Sequence, residues 1–360
     1  MTVCLIHNLY PPYSVGGAET FVLEQTKTFL EKGDRVVIIT PRPFRDGGFT
    51  VQKTADPNGV LVYRYWSPNV CFYGHLAEHG CIYKLLWHGI DIWNWWSARI
   101  IRKILIKENV THVYTHNLMG VSFRVPRMLS LLPVHHTHIV HDVQLIDPSG
   151  ILAWNHTKDS VFQRLYIGVM KRAFVRVQDV VFLSHFVQDF YIHRGFFSKA
   201  KKTVLPLSHI FSLTREKTQR PIKRILFVGS LVPHKGIAAL QSVWERLPNS
   251  SSLELHIVGD GLLRASVETW AKQCQNVCVH GRLNRTEVAH MYEEADVLLF
   301  LSLCIENRPQ VIEEALQHGL RIIASNTGGV SELVEGQKQV TLVEPGNVNQ
   351  IIQSIEKLLL

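Results

Sequence analysis

Short apolar runs alternate along this chain with longer segments whose apolar residues recur every three to four positions. In the first half, runs at residues 3–6, 36–40, 110–114 and 138–140 are separated by an amphipathic segment at 18–31 and a helical region ahead of residue 110. Apolar runs this short, divided by helical segments, predict parallel strands covered by helices. The rhythm restarts after residue 220. Runs at 225–228, 253–258, 277–280, 296–301 and 321–324 predict strands, and segments at 235–244, 262–273, 309–318 and 348–359 predict helices.

Between the halves lies the polar, charged stretch 212–220, followed by Pro221, with the composition of a linker. A chain of 360 residues also exceeds what one hydrophobic core usually serves. The prediction is an α/β protein of two Rossmann-like, doubly wound domains, residues 1–211 and 222–360, joined by a linker at 212–221. Open α/β sheets bind ligands outside the carboxyl ends of their strands, so the site is expected in a cleft where the two domains face each other.

A formal net charge of +8 favours anionic partners such as nucleotide diphosphates or acidic lipids. Nucleic acid is not expected, because the basic residues are dispersed and no recognition motif accompanies them. The six cysteines are scattered and read as reduced thiols rather than metal ligands or disulfides. The opening residues lack the basic flank and cleavage site of a secretory signal, so a cytoplasmic location is expected. No apolar run approaches the ~20 residues that span a bilayer, which limits any membrane contact to the periphery.

The most informative segment places Glu306 at the carboxyl end of a strand and Glu314 about one and a half turns into the next helix. Pro309 falls where a first helical turn tolerates proline, and Gly319 is a fitting stop. A helix start offers unpaired N–H groups to an anion, and nearby carboxylates accept hydrogen bonds from sugar hydroxyls. Spacing alone also fits a plainer role, with Glu306 favouring the helix dipole and Glu314 simply exposed.

The run from Glu306 to Glu314-Ala315, then Gly319, Ala324-Ser325 and Gly328-Gly329-Val330-Ser331-Glu332, resembles the signature of the family-4 retaining glycosyltransferases, glycosyl transferases group 1, whose fold is GT-B. The resemblance implies that Glu306 binds hydroxyls of the transferred sugar and Glu314 the ribose of its nucleotide. The backbone of Asn307, Arg308, Pro309 and Gln310 would contact sugar and phosphate. Many relatives have Gly-Phe-Gly where this chain has Asn307-Arg308-Pro309.

Other segments follow in the family's order. Gly16 and Gly17, between the first strand and first helix, let a backbone approach a phosphate closely, though such a pair also makes an ordinary turn. The resemblance assigns them to the donor diphosphate. Lys235, at the start of a helix, would neutralise the leaving diphosphate. Ser230 stands where the family usually has a second cation, an arginine; Arg308, Arg282 or Arg264 could substitute. Arg282 also lies in a turn that lines the nucleotide pocket in the family. His141-Asp142 matches the family's His-Asp pair, whose histidine reaches the donor sugar. His135, His136, His138 and His141 do not form a metal site in this reading, because a strand turns alternate side chains to opposite faces.

The stretch 83–107 sets Leu86, Trp87, Ile90, Trp93, Trp96, Ile100 and Ile104 at helical spacing among Lys84, Arg99, Arg102, Lys103 and Lys107. It reads as a core-packed helix or as an interfacial one serving a lipid-linked acceptor on an anionic membrane. The expected activity is transfer of a hexose-type sugar from a nucleotide sugar donor to a sugar or lipid-linked acceptor, with retention of configuration and without metal or other cofactor. His141, Lys235 and Glu306 would carry the chemistry. One rival is a nucleotide-sugar-binding protein with little turnover, motivated by Ser230 and by a chain ending directly after a second-domain helix. A dehydrogenase is the other, and no Gly-x-Gly-x-x-Gly follows the first strand.

Overall fold

A computed structural model describes residues 1–13, 16–205, 221–248 and 252–359. The expected linker at 212–220 therefore lies outside the described residues. The first compact unit comprises Met1–Ile151 and Lys158–Leu205; the second takes in Leu152–Thr157 and the described residues beyond 220.

The first unit runs β1 (Thr2–Ile6), α1 (Gly17–Glu31), β2 (Arg35–Arg42), β3 (Gln52–Ala55), β4 (Leu61–Trp66), α2 (Cys81–Trp93), α3 (Trp95–Lys107), β5 (His112–Thr115), α4 (Val125–Leu129), β6 (His135–Val140), α5 (Val161–Phe174), β7 (Asp179–Phe182), α6 (His185–Ile192) and β8 (Lys201–Val204). Its sheet has the order β3-β4-β2-β1-β5-β6-β7-β8, with only the β3–β4 pair antiparallel.

The second unit runs β9 (Arg224–Val228), α7 (Ile237–Arg246), β10 (Glu254–Val258), α8 (Arg264–Ala271), β11 (Val277–Gly281), α9 (Arg285–Glu294), β12 (Val297–Phe300), α10 (Gln310–Gln317), β13 (Arg321–Ser325), α11 (Val330–Leu333), β14 (Val340–Val343) and α12 (Val348–Leu359). Its six strands are all parallel, in the order β11-β10-β9-β12-β13-β14. Ile225 and Phe227 face one buried cluster with α7, α8 and α12, while Leu226 faces another with α9 and α10. Both faces of β9 are thus covered, which is why residues 225–228 read as an unbroken apolar run. Each such side chain, fully buried, contributes about 1.5–3 kcal/mol.

Two sequence expectations need correction. The stretch 83–107 is not one helix: Asn94 leaves helical geometry, and its side chain accepts the Ser97 amide at 3.0 Å to start α3 afresh. With the break, the apolar stripe divides. Trp87 and Ile104 are buried, whereas Leu86, Trp93 and Trp96 are exposed. Pro309 does not stand within the first turn of α10 but caps it, in extended geometry. A β-type backbone is what an N-cap position requires.

Leu152–Thr157 was not foreseen as part of the second unit. Ala153 forms an antiparallel bridge with Cys304, and the Trp154 and Ile305 amides donate to the Leu303 and Leu152 carbonyls. The segment adds a short strand to the loop that carries Glu306. Among the described residues no helix is long and apolar enough to cross a membrane.

Candidate active site

In the second sheet the chain winds outward from β9 through β10 to β11, then returns to place β12 beside β9. The carboxyl ends of β9 and β12 are therefore the switch point at which doubly wound sheets open a crevice. Lys235 ends a 3-10 turn after β9, and Glu306 lies in the loop after β12. They meet there: Lys235 Nζ donates to Glu306 Oε1 at 2.5 Å, and Ser302 Oγ donates to the same oxygen at 2.6 Å. Burial pulls the Lys235 ammonium down, but the Glu306 carboxylate outweighs it and the net shift is upward. A charged lysine is thus held at the strand ends, about a quarter exposed.

Close backbone packing fixes these loops. Gly236, next to Lys235, has φ +79° and lies so near Leu301 that a Cβ would sit 2.0 Å from its carbonyl oxygen. Gly328, at φ +60°, would bring a Cβ within 1.9 Å of the Glu306 carbonyl. The next amide, Gly329 N, donates to that carbonyl at 2.8 Å, while Thr327 Oγ1 donates to the Cys304 carbonyl at 2.7 Å. Gly328→Ala is expected to cost about 2 kcal/mol from left-handed strain and displacement of the Glu306 loop. A urea-denaturation series on the variant checks this, and an unchanged midpoint would contradict the packing described.

α10 begins with Gln310 after the Pro309 cap, and Asn307 is buried in the preceding loop. Arg308 donates through Nε to Glu313 in the first turn and is nearly buried, so its charge is committed to that pair. Arg264 is bound to Asp260 and Glu268, while Ser230 and Arg282 are exposed. Neither Arg308 nor Arg264 is an uncommitted cation beside Ser230. Glu314 is half-buried rather than simply exposed, and lies next to Tyr292 of α9. Burial, and then the Glu314 charge, push the Tyr292 phenol well above its ordinary value.

The first unit has its own switch point, between β1 and β5. Three neighbouring strands, β1, β5 and β6, are each followed directly by a histidine and then an amide or acid: His7-Asn8, His116-Asn117 and His141-Asp142. The histidines form one layer. His116 Nδ1 and His141 Nε2 share a hydrogen bond at 2.9 Å, and the His7 ring lies 5.7 Å from His116 and 6.3 Å from His141. Burial lowers His141 to about 4, and burial followed by the charge of His141 lowers His7 and His116 well below the usual value. All three rings are neutral at pH 7. Glu19 continues the chain of contacts, with Oε1 3.9 Å from His7 Nε2 and Oε2 accepting the Gly16 amide at 2.9 Å. Gly16 caps α1 and Gly17 is its first residue. Gly16 and His141 are thereby linked through Glu19, His7 and His116.

The Asx layer borders a polar cavity of about 200 Å³ lined by Asn8, Tyr73, Asn117, Asp142, Gln144 and Gly150, among others. Asp142 accepts from the Gln144 amide at 2.8 Å and from Asn117 Nδ2 at 3.2 Å, and burial raises its carboxyl to about 6. The Asn8 side-chain oxygen is buried with no hydrogen-bond partner. His136 and His138 face away from this layer and both bond Thr115 Oγ1, at 2.7 and 2.9 Å.

Sequence reasoning missed Ser302, Tyr292, His7 and His116. A usable signal existed for the histidines, since each is the first residue beyond an apolar strand. Ser302 and Tyr292 carry no comparable pattern.

Comparison with known proteins bears on the family and the fold. Residues 15–207 match the family described as Glycosyltransferase Family 4, and residues 213–360 match Glycosyl transferases group 1. A protein of Klebsiella pneumoniae described as an uncharacterized 42.6 kDa protein in cps region is 25% identical over 92% of this chain and 87% of its own. The lipopolysaccharide 1,2-N-acetylglucosaminetransferase of Salmonella typhimurium is 29% identical over 38% of this chain and 39% of its own. Among solved structures, sucrose-phosphate synthase from Thermosynechococcus elongatus superposes with a TM-score of 0.75 at 16% identity, over 99% of this chain and 89% of its own.

Proposed function

This chain belongs to the family-4, group 1 glycosyltransferases and has the GT-B fold, and on that footing we propose that it transfers a hexose-type sugar from a nucleoside diphosphate to an acceptor hydroxyl, with retention of anomeric configuration, in polysaccharide or glycolipid synthesis. The observation that carries this reading is the Lys235–Glu306 pair at the switch point of the second sheet. One partner is a cation suited to a departing diphosphate and the other a carboxylate suited to sugar hydroxyls.

Each residue then has a defined task. Lys235 and the amides leading into α10 take the charge that develops on the diphosphate. Glu306, steadied by Ser302, orients the sugar, and Asn307 to Gln310 bring backbone close to it. Glu314 receives ribose hydroxyls, and Gly16 and Gly17 approach the diphosphate. His141, neutral and held by His116, hydrogen-bonds the donor sugar. The acceptor oxygen attacks the anomeric carbon on the face the diphosphate leaves; the C–O bond to diphosphate breaks, and a diphosphate oxygen takes the acceptor proton. No enzyme nucleophile is needed, and protein cations and dipoles do the work a metal would otherwise do. The Asn8, Asn117 and Asp142 cavity suits a polyhydroxyl acceptor, because it offers both donors and acceptors.

The stereochemistry tests this reading. Proton NMR of the fresh product is expected to show the donor's anomeric configuration, with activity unchanged by chelator; inversion or chelator-dependent loss would overturn it. Glu314→Gln is expected to weaken every nucleotide sugar about tenfold, a loss of one charge-assisted hydrogen bond, while Glu306→Gln changes discrimination among sugars of one nucleotide. Titration calorimetry separates the two, and equal effects on all ligands from both variants would contradict the assignment. A second reading, donor binding with little turnover, is favoured by exposed Ser230 without an uncommitted Arg308 or Arg264 beside it. Binding of donor without transfer or hydrolysis across a broad acceptor panel would select it.

A further inference from the structure

Two helices of the first unit leave large apolar side chains in solvent although each buries others, Trp87 on α2 and Ile167, Met170 and Phe174 on α5. Ile82, Leu85, Leu86 and Trp93 of α2 are each more than half exposed, and helical spacing sets all four on one stripe. On α5, Val161, Phe162 and Leu165 are likewise more than half exposed. Side chains of this size are normally what a helix buries, and contiguous exposed apolar area marks an interaction surface.

The exposed charges that α3 to α5 themselves carry are basic, while Glu78 and Asp159 lie just ahead of α2 and α5, Asp159 paired with Arg194. The outward face of α3 carries Trp95 and Trp96 followed by Arg99, Arg102 and Lys103. Below the apolar end of α5, Arg172 and Arg176 join Arg127 of α4 around a second cavity of about 200 Å³ that no acidic residue lines. Among the described residues none of these three arginines has a carboxylate partner. Helices α2 to α5 contain a single acidic residue, Asp91, and it is fully buried, bonding the Gly120 amide. The chain steps in one direction from β5 to β6 to β7, so right-handed crossovers put α4 and α5 on one face of the sheet, and α3 packs against α4.

We propose that this face docks on an anionic lipid bilayer, with Ile82, Leu85, Leu86, Phe162 and Leu165 entering the headgroup boundary and Arg127, Arg172 and Arg176 seating a phospholipid phosphate. Tryptophans and cations flanking apolar side chains are the composition of an interfacial surface. Three unpaired guanidiniums around one notch repel one another until an oxyanion sits between them. A second copy of this chain fits poorly, because its matching face would oppose cation to cation. The proposal is independent of the reaction chemistry.

Flotation of the full-length protein with vesicles tests it. Binding is expected to phosphatidylcholine vesicles containing phosphatidylglycerol and not to phosphatidylcholine alone. The triple variant Arg127→Gln, Arg172→Gln, Arg176→Gln should bind about 100-fold more weakly, roughly fivefold for each cation removed from the surface. Leu85→Ser with Leu86→Ser, and Phe162→Ser with Leu165→Ser, should each lose the binding that survives high salt. Every variant should keep the wild-type thermal stabilisation by nucleotide sugar, which separates loss of docking from misfolding or a wrong donor site. The proposal falls if the protein ignores phosphatidylglycerol vesicles, or if the arginine variant binds them as tightly as wild type. It also falls if ultracentrifugation gives a dimer that the leucine variant dissociates.

Discussion

Lys235→Met is expected to lower kcat for sugar transfer by about 10²–10³-fold, the loss seen when one preorganised group is removed from a developing anion. The argument is local. Lys235 is held at the end of β9 by a turn, its charge is maintained by Glu306, and no uncommitted Arg308 or Arg264 accompanies Ser230. A purely structural lysine would show itself differently. Its loss would strand the Glu306 carboxylate and lower the urea midpoint, with kcat recovering once the protein was folded. Turnover measured beside the urea midpoint, with Lys235→Arg as the charge-keeping control, distinguishes the two. Wild-type kcat in a folded methionine variant would remove Lys235 from the chemistry.

Acid sensitivity is the second large effect. His7, His116, His136 and His138 are at most 2% exposed, and burial is the chief cause that holds each below its ordinary value, His136 at about 3. In the unfolded chain each titrates near 6.5. Their contribution to stability is present above that value and is lost as pH falls from it toward the folded values, since the unfolded chain takes up protons that the folded one refuses. Asp91 acts in the opposite sense, because burial raises it to about 8 and its folded form gains a proton first. His141 at about 4 and Asp142 at about 6 largely offset each other. Between pH 7 and pH 5.5 the four histidines forfeit ~5 kcal/mol and Asp91 returns ~2, a net loss of about 3 kcal/mol. Urea unfolding at the two pH values reads this directly; an equal or higher midpoint at pH 5.5 would contradict it.

How far the sequence led depended on whether physics wrote a local pattern. β9, β12 and β13 of the second unit were legible because both of their faces are covered, leaving runs such as 225–228 unbroken, whereas edge strand β11 alternates half-buried valines with exposed Cys278 and His280. β14 was not, since Thr341 and Leu342 face solvent at the sheet edge and interrupt the run. The pair β3 and β4 escaped for a similar reason: β3 is a mostly exposed edge strand with no apolar signature. Trp93 and Trp96 were set in a helical stripe that the sequence could not orient, because the capping role of Asn94 depends on its bonds to Ser67 and Pro68 nearly thirty residues away.

The candidate site divides in the same way. Glu306, Glu314, Lys235 and His141 could be chosen from motif and position. That Lys235 and Glu306 touch could not, because the contact arises from the return of β12 beside β9. The commitment of Arg308 to Glu313 joins a loop residue to the first turn of α10, a pairing no helical spacing discloses, and it changes the arginine inventory around Ser230. The His-Asx steps after β1, β5 and β6 become a layer only once the strand order is known.

The central claim is that the Lys235–Glu306–Glu314 constellation binds a nucleoside diphosphate sugar. Thermal unfolding with a panel of UDP-, GDP- and ADP-sugars tests it most directly, because a ligand bound only by the folded protein raises stability by mass action. The account predicts that one nucleotide series raises Tm, and that Glu314→Gln removes most of the rise while leaving the ligand-free Tm near wild type. No rise with any nucleotide sugar, or an undiminished rise in Glu314→Gln and Lys235→Met alike, would contradict it.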